Sequence, residues 1–423
     1  MDSSLLPAIP GIRQVNWTLI AGAGIGLCAL VSLSPAHPVY DERWFLDTLD
    51  LLKRQGLSIA FLREFPGAAG PTFTLVFASV DRVGALSFPW LRLINVGLLA
   101  ASVILMWRIL KSASDEPASP GPALLAASLT MLPTVGVSTG MALTEMPAVF
   151  FILVSVFLLA SARDPTASSV RAWLAAVGCG AAIAAAVLGR QNFLVMLPCL
   201  ALAFGWPPAI RRHDILKVGI IVATVALIVS PVFIVWGGLI PPLSAWSSGG
   251  FSPANGIRSA GYAGIIAFLF APEIYRVLLQ RKMLLAAALV LSAPVALVVG
   301  QTSVPLASAM RTLSLESLTG LIAAGFGLVL ALSAICFVGC FAFYIWQERG
   351  NWLTRFAGST ALLGILSNAR ITHQFNSRYV FVFLPFIVIA AAPTVRMNWH
   401  QPLRLAIGAC ISLGALASYY FGK

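Results

Sequence analysis

The sequence predicts an all-α polytopic membrane protein, a single integral-membrane domain over residues 1–423 with about thirteen spans. Three observations lead there. Apolar residues make up 59% of the chain and charged residues only 10%, a balance outside the range of soluble domains. The apolar residues fall in repeated runs of the length that crosses a bilayer as a helix. Lys and Arg gather in clusters between those runs, the pattern of cytoplasmic loops. Topology therefore accounts for the formal net charge of +12, and no nucleic-acid partner is indicated.

Trp17 to Leu33 reads as the first span. Pro35 and His37 do not suit a signal-peptidase site, so the helix is expected to stay uncleaved. Residues 35–87 form a long first extracytoplasmic loop. Its apolar stretch from Pro66 to Val80 opens on Phe65-Pro66-Gly67 and closes on Asp81-Arg82. A crossing there would carry Arg108 and Lys111 to the outside and invert everything after them. Within the loop, Trp44-Phe45-Leu46 and Leu49-Leu51-Leu52 are set among Asp47, Asp50, Lys53 and Arg54, the pattern of an amphipathic interfacial helix.

The second span is expected from Phe88 to Trp107. Arg13, then Arg108/Lys111, Arg163/Arg171, Arg211/Arg212/Lys217, Arg276/Arg281/Lys282, Arg349/Arg355 and Arg396/Arg404 define one face of the membrane. The outside segments are then short at 139–146 and 189–191, and longer at 239–260, 301–318 and 368–378. Residues 239–260 are rich in Gly and Pro and read as an ordered extracytoplasmic loop. The span after Arg258 is irregular, because Glu273 and Arg276 fall within its length. The six cysteines lie inside apolar runs, so no disulfide framework is expected. Cys336 and Cys340, one helical turn apart, have no His or carboxylate beside them and read as packing residues. No soluble domain or internal repeat is visible.

Charge is scarce, so its placement is informative. Of the 15 acidic residues, Asp41, Glu42, Asp47, Asp50, Glu64 and Asp81 fall in the first outside loop. Asp47, Asp50, Glu64 and Asp81 read as a solvated face balanced by Arg43, Lys53, Arg54 and Arg63. Asp41 and Glu42 differ: they sit at a span's end beside Tyr40, Trp44 and Phe45, where two adjacent carboxylates are costly unless used. Glu145 stands between two apolar spans with nothing basic nearby in sequence. It reads either as a functional intramembrane acid or as a helix-start residue ahead of Pro147. Arg190, Arg258, Arg370 and Arg378 lie outside, against the positive-inside pattern. Guanidinium groups there suit bidentate phosphate binding; the alternatives are snorkelling to headgroups or ion pairs with Glu145 or Glu42. The set suits a substrate with an anionic phosphate and a lipid tail.

The arrangement resembles the GT-C superfamily of integral-membrane glycosyltransferases, which carry an acidic motif in a long first outside loop. Tyr40-Asp41-Glu42 matches that motif, and Glu145 matches a second acidic position. More narrowly, the chain is similar to the dolichyl-phosphate-glucose-dependent α-1,2-glucosyltransferase family. The similar segments, in order, are Asp41-Glu42, Phe65-Pro66-Gly67, Leu91-Arg92-Leu93-Ile94-Asn95, Thr144-Glu145, Arg190-Gln191-Asn192, Val235 to Ile240, and Asn376-Ser377-Arg378-Tyr379. The chain is shorter than that family and has Pro241-Pro242 where polar residues are expected. A high ratio of Arg to Lys and richness in Ala and Gly fit a prokaryotic relative.

The resemblance implies a GT-C-like bundle and an inverting glycosyl transfer from a polyprenyl-phosphate sugar to a glycan or lipid acceptor, among membrane lipids. In that expectation Asp41 is the base, and Glu42 or Glu145 orients the acceptor or holds a divalent cation (Mg or Mn, with Asp41 and Glu145 as ligands). Arg378, Arg370, Arg190 and Arg258 bind the donor phosphate. Tyr40, Trp44, Gln191, His373, Asn376, Tyr379 and Trp236 contact substrate. The implied location is a bacterial inner membrane with the site facing outside; the alternative is the endoplasmic reticulum membrane. The rival functions are a polytopic transporter or lipid-linked saccharide flippase, which calls for paired broken helices, and a polysaccharide polymerase.

Overall fold

A computed structural model of the chain describes residues 11–81, 87–113, 121–164, 168–205, 212–247, 250–299, 319–373, 375–396 and 398–422. The expected outside segment 301–318, with Glu316, lies outside the described residues, as do Arg82 and Arg211. Every regular element described is helical. In chain order they are α1 (Ile12–Ser32), α2 (Glu42–Gln55), α3 (Ile59–Arg63), α4 (Thr72–Asp81), α5 (Leu93–Ser112), α6 (Gly121–Ala127), α7 (Val135–Gly140) and α8 (Glu145–Arg163). There follow α9 (Ser169–Val187), α10 (Met196–Phe204), α11 (Arg212–Trp236), α12 (Pro253–Phe270), α13 (Arg276–Gln280) and α14 (Lys282–Val299). The series ends with α15 (Thr319–Gln347), α16 (Trp352–Ser367), α17 (Arg378–Phe381), α18 (Leu384–Ala391) and α19 (His400–Phe421).

The chain is an all-α polytopic membrane bundle. Among the described residues eight helices are long and apolar enough to cross a membrane, and nine if a bent pair is one span. That is fewer than the thirteen crossings expected, because α6, α10, α16 and α18 are too short on their own to meet the same length. The bent pair explains the irregular span after Arg258. Helix α12 stops at Phe270, and the chain turns by 112° before running on to Gln280. Glu273 and Arg276 thus follow the turn rather than sitting in a continuous apolar helix.

Helices α8 and α9 form the centre, with α5 on one side and α11 on the other. Helix α8 buries one broad face through Met146, Val149, Ile152, Leu153, Val156 and Leu159, and its other face, with Phe150, Val154 and Phe157, is half-buried. Helices α11 and α14 instead turn apolar side chains outward; Leu227, Ile234 and Leu297 are 77%, 77% and 84% exposed. Such a surface suits hydrocarbon. Helix α12 packs on α15 closely enough that a Cβ on Gly261 would lie 2.6 Å from the Leu330 carbonyl oxygen. Helix α19 packs on α1 and α7.

The segment after α1 carries α2, α3 and α4. Helix α2 faces α4 through Leu49, Phe73 and Phe77, with a second contact where Lys53 Nζ lies 2.8 Å from Asp81 Oδ2. Helix α4 has ten residues, half the length a crossing needs. Its start is tied to the end of α9: Thr72 donates from N and Oγ1 to Leu188 O and Ala185 O at 3.4 and 2.5 Å.

The bundle has two chemically distinct ends. At one, basic segments meet: Lys217 Nζ donates to Ala162 O at 2.6 Å, and the Arg163 guanidinium lies 4.2 Å from the centre of the Trp352 ring. At the other, the end of α1 and the starts of α5, α8, α12 and α17 converge.

Candidate active site

Asp41 and Glu42 part company at the start of α2. Tyr40, just before them, has a left-handed backbone with φ of 53°, uncommon for a residue with a Cβ. It turns the chain from the end of α1 into α2. Successive residues at a helix start point about 100° apart. Asp41 therefore lines a cavity, while Glu42 turns inward and is fully buried. The Tyr40 ring stands edge-on to Tyr419 at 5.2 Å. Burial, then Tyr419 and Asp41, push the Tyr40 phenol above its ordinary pKa.

Glu42 does not line the cavity. Its Oε1 accepts from Arg92 Nε at 2.8 Å and Ala142 N at 2.7 Å. Its Oε2 accepts from Arg92 Nη2 at 2.6 Å and Val39 N at 2.8 Å. Glu42 and Arg92 are both wholly enclosed. Sequence reasoning placed Glu42 beside Asp41 because neighbours in sequence share a location, and it left Arg92 without a role. The signal for Arg92 was present: a lone charge within the expected span Phe88–Trp107.

The other acid, Glu145, is the first residue of α8 and fully buried. Its carboxylate meets two arginines from distant segments. Arg190, after α9, donates from Nη2 to Glu145 Oε1. Arg378, the first residue of α17, places Nε 3.4 Å from the same oxygen. Arg378 also donates from Nη2 to Asp41 Oδ2. One guanidinium thus joins the two carboxylates. Asp41, Glu145 and Arg378 form a single cluster, and Arg190 extends it. Burial disfavours the Arg378 charge, but Glu145, Asp41 and Tyr379 together outweigh burial and hold its pKa above the ordinary value. Glu145 Oε2 and Arg190 Nε are enclosed without a hydrogen-bond partner.

Tyr379 organises the cationic wall. Its ring centre lies 5.9 Å from the Arg190 guanidinium and 5.8 Å from that of Arg378, and its hydroxyl pairs with His373 Nε2 at 2.9 Å. Asn376 Oδ1 accepts from the Arg378 backbone N at 3.0 Å, at the turn into α17. Arg258 on α12 donates to Val299 O from Nε and Nη2 and to Asn255 Oδ1 from Nη1. Asn255 in turn donates to Ile371 O at 2.7 Å, which fixes the loop that bears Arg370 and His373. Arg370 is exposed. Gln191 donates to Ala68 O at 3.2 Å, and Trp44 stands 61% exposed at the rim.

Asp41, Arg378, Arg190, Tyr379, Arg258 and Arg370 line one cavity of about 770 Å³, with Tyr40, Trp44, Gln191, His373 and Asn376 around them, while Glu145 lies enclosed behind Arg190 and Arg378. Trp236 does not line the cavity: it is buried, and its indole N–H donates to Leu62 O at 2.8 Å, so it packs α11 onto α3 with Phe65. Asn255 and Tyr419 line the cavity and were not singled out in sequence. An uncharged asparagine in a Gly/Pro-rich stretch and a tyrosine near the end of α19 carry no unusual signal.

The electrostatics are asymmetric. Arg190, Arg258, Arg370 and Arg378 line the cavity, against the carboxylates of Asp41 and Glu145. Arg190 and Arg378 are paired with those carboxylates. Among the described residues Arg258 and Arg370 have no carboxylate partner. Among the described residues the cavity lining therefore carries an excess of positive charge, which suits an anion.

A divalent cation held by Asp41 and Glu145 is one role that the resemblance leaves open for these carboxylates. The Arg378 guanidinium already occupies the space between the two carboxylates, and among the described residues no group of three His, Cys, Asp or Glu could hold a metal.

No family model matches the chain, and no curated protein matches it. Solved structures do resemble it in fold. It is similar to ArnT from Cupriavidus metallidurans in the apo state, at 14% identity and a TM-score of 0.42 over 92% of this chain and 78% of that one. It is similar to the same protein bound to undecaprenyl phosphate, at 12% identity and a TM-score of 0.43 over 92% of this chain and 77% of that one. It is also similar to the Archaeoglobus fulgidus oligosaccharyltransferase in complex with Zn and sulfate, at 14% identity and a TM-score of 0.48. That match covers 96% of this chain and 53% of the other, so this chain spans about half the length of the oligosaccharyltransferase.

Proposed function

We propose that the chain is an inverting glycosyltransferase that moves a hexosyl or pentosyl unit from a polyprenyl-phosphate donor to a hydroxyl of a glycan or lipid acceptor. The observation that carries this reading is the joining of Asp41 and Glu145 through Arg378 beside a cavity in which, among the described residues, Arg258 and Arg370 have no carboxylate partner. A base and an anion site thus face the same space, at one end of an apolar bundle.

Asp41 acts as the general base. Arg378 engages its Oδ2, and Oδ1 takes the proton of the acceptor hydroxyl. The acceptor oxygen forms its bond to the anomeric carbon as the bond from that carbon to the phosphate oxygen breaks. The electron pair leaves on the phosphate, which goes from one negative charge to two. Arg258 and Arg370 meet that developing charge, an electrostatic contribution that grows through the transition state. Arg190 and Arg378, which sequence alone assigned to the phosphate, act chiefly on the two carboxylates. A single displacement inverts the anomeric centre.

In this reading the chain crosses the membrane about thirteen times: the eight long helices, the bent pair, and the shorter apolar helices Gly121–Met131, Gln191–Phe204, Trp352–Ser367 and Leu384–Thr394. The basic end faces the cytoplasm and the cavity faces outside, with residues 35–87 and 239–260 at its mouth. A bacterial inner membrane fits that orientation. The narrower tie to the α-1,2-glucosyltransferase family rests on the ordered segments quoted above.

The test is direct. Purified protein is incubated with a panel of undecaprenyl-phosphate-linked hexoses and pentoses and a mixture of glycan and lipid acceptors, and release of undecaprenyl phosphate is measured. One donor class is expected to turn over. Movement of an intact donor across vesicles without bond breakage would instead favour a flippase.

A further inference from the structure

The Glu42–Arg92 pair is wholly buried and its hydrogen-bonding capacity is filled. Arg92 has five N–H donors, and all five are used: Nε and one Nη2 bond to Glu42, the second Nη2 bond to His37 O, and two Nη1 bonds to Ser34 Oγ and Pro35 O. The carboxylate accepts four bonds, including those from Val39 N and Ala142 N. Arg92 is held between the rings of Phe88 and Tyr420, at 4.5 and 5.0 Å.

The bonds go to two particular stretches of chain. Residues 34–39 run directly into Asp41. Ala142 stands three residues before Glu145, in a segment that Asn95 also holds through Met141 O and Leu143 O at 2.7 and 3.1 Å. Both cluster carboxylates therefore hang from the same buried ion pair, on the side away from the cavity. We infer that Glu42 and Arg92 are positioning residues: together they set the separation of Asp41 and Glu145, so that Arg378 bridges the two and Asp41 is held at the acceptor. A pair whose only role were stability would have no need to anchor both of these segments.

This inference rests on the catalytic reading of Asp41, and its test separates the two. Glu42→Gln keeps the shape of the side chain and removes its charge. Misplacing a reacting group by about 1 Å can cost roughly 10²-fold, so turnover of the reactive donor from the undecaprenyl-phosphate panel should fall by that order. The affinity for undecaprenyl phosphate alone should stay within about twofold, since the anion arginines lie elsewhere. In the double variant Asp41→Asn/Glu42→Gln, the loss should be no greater than for Asp41→Asn alone, as expected when one residue acts through another. Additive losses would overturn the inference. If Asp41→Asn keeps full activity, the base assignment falls instead.

The doubly apolar variant Glu42→Leu/Arg92→Met distinguishes positioning from stability, because replacing both members of a buried pair is often tolerated by the fold. A variant with wild-type thermal stability and restored turnover would show the pair to be structural only. A readout independent of turnover is a cryo-EM structure of Glu42→Gln. Asp41 or Glu145 should be displaced from Arg378, and an unchanged cluster would overturn the inference.

Discussion

Arg378 touches Asp41 on one side and Glu145 on the other, so its substitution releases two buried or half-buried carboxylates toward each other. Arg378→Lys keeps one charge but not a planar group that spans two partners. Turnover in that variant should fall by at least tenfold while the protein stays folded; full activity would remove Arg378 from the cluster's function. Asp41→Asn should lower turnover by about 10²–10⁴-fold, the usual contribution of a general base, with undecaprenyl phosphate binding retained. Arg258→Ala/Arg370→Ala should do the reverse in kind, raising the donor KM at least tenfold. At this scale the sequence was most legible where charge breaks an apolar pattern, as at Asp41, Glu145, Arg190 and Arg378. It was silent on direction. Asp41 and Glu42 are adjacent, and only the helix start at Glu42 decides which faces the cavity. Trp236 looked like a loop aromatic but is a packing residue.

Helix α4 and the end of α9 meet at Gly70, where an added Cβ would stand 2.1 Å from the Leu188 carbonyl oxygen. That oxygen belongs to backbone, which cannot rotate aside. Gly70→Ala should therefore destabilise the protein by about 1–3 kcal/mol, as overpacking does, read as a lowered thermal midpoint in detergent. It should also reduce turnover, because Arg190 follows Leu188 by two residues. A neutral Gly70→Ala would mean that α4 and α9 separate freely. The bounds of α4 were legible from strong punctuation: Pro66-Gly67 comes ahead of it and Asp81-Arg82 at its end, and the helix runs ten residues, Thr72–Asp81. The turn after Phe270 was visible as misplaced charge at Glu273 and Arg276. The break itself falls at Ala271-Pro272, where a proline ends the helix, although that pair does not give the 112° angle.

The whole bundle separates a basic end from the cavity end. If the positive-inside pattern sets its orientation, a cysteine at Leu57, which is 67% exposed near the cavity end, should react with a membrane-impermeant maleimide added outside cells. One at Lys111 should not. The reverse labelling would place the cavity in the cytoplasm. The overall class was plain from composition, since few chains so apolar can fold in water. The count of crossings was less so, because short helices such as α10 and α18 owe their place to neighbours rather than to their own length. Helix α19 has a further consequence. It supplies Tyr419 to Tyr40, Tyr420 to Arg92 and Gly140, and Ser412 to Gly136. A chain emerging from the ribosome inserts its earlier helices before α19 exists. Until α19 arrives, Arg92 lacks one of its two aromatic walls and the Asp41 turn lacks its ring partner. Assembly of the cluster therefore waits for α19, and chains that stop short of it carry the acidic and basic residues without yet having them brought together.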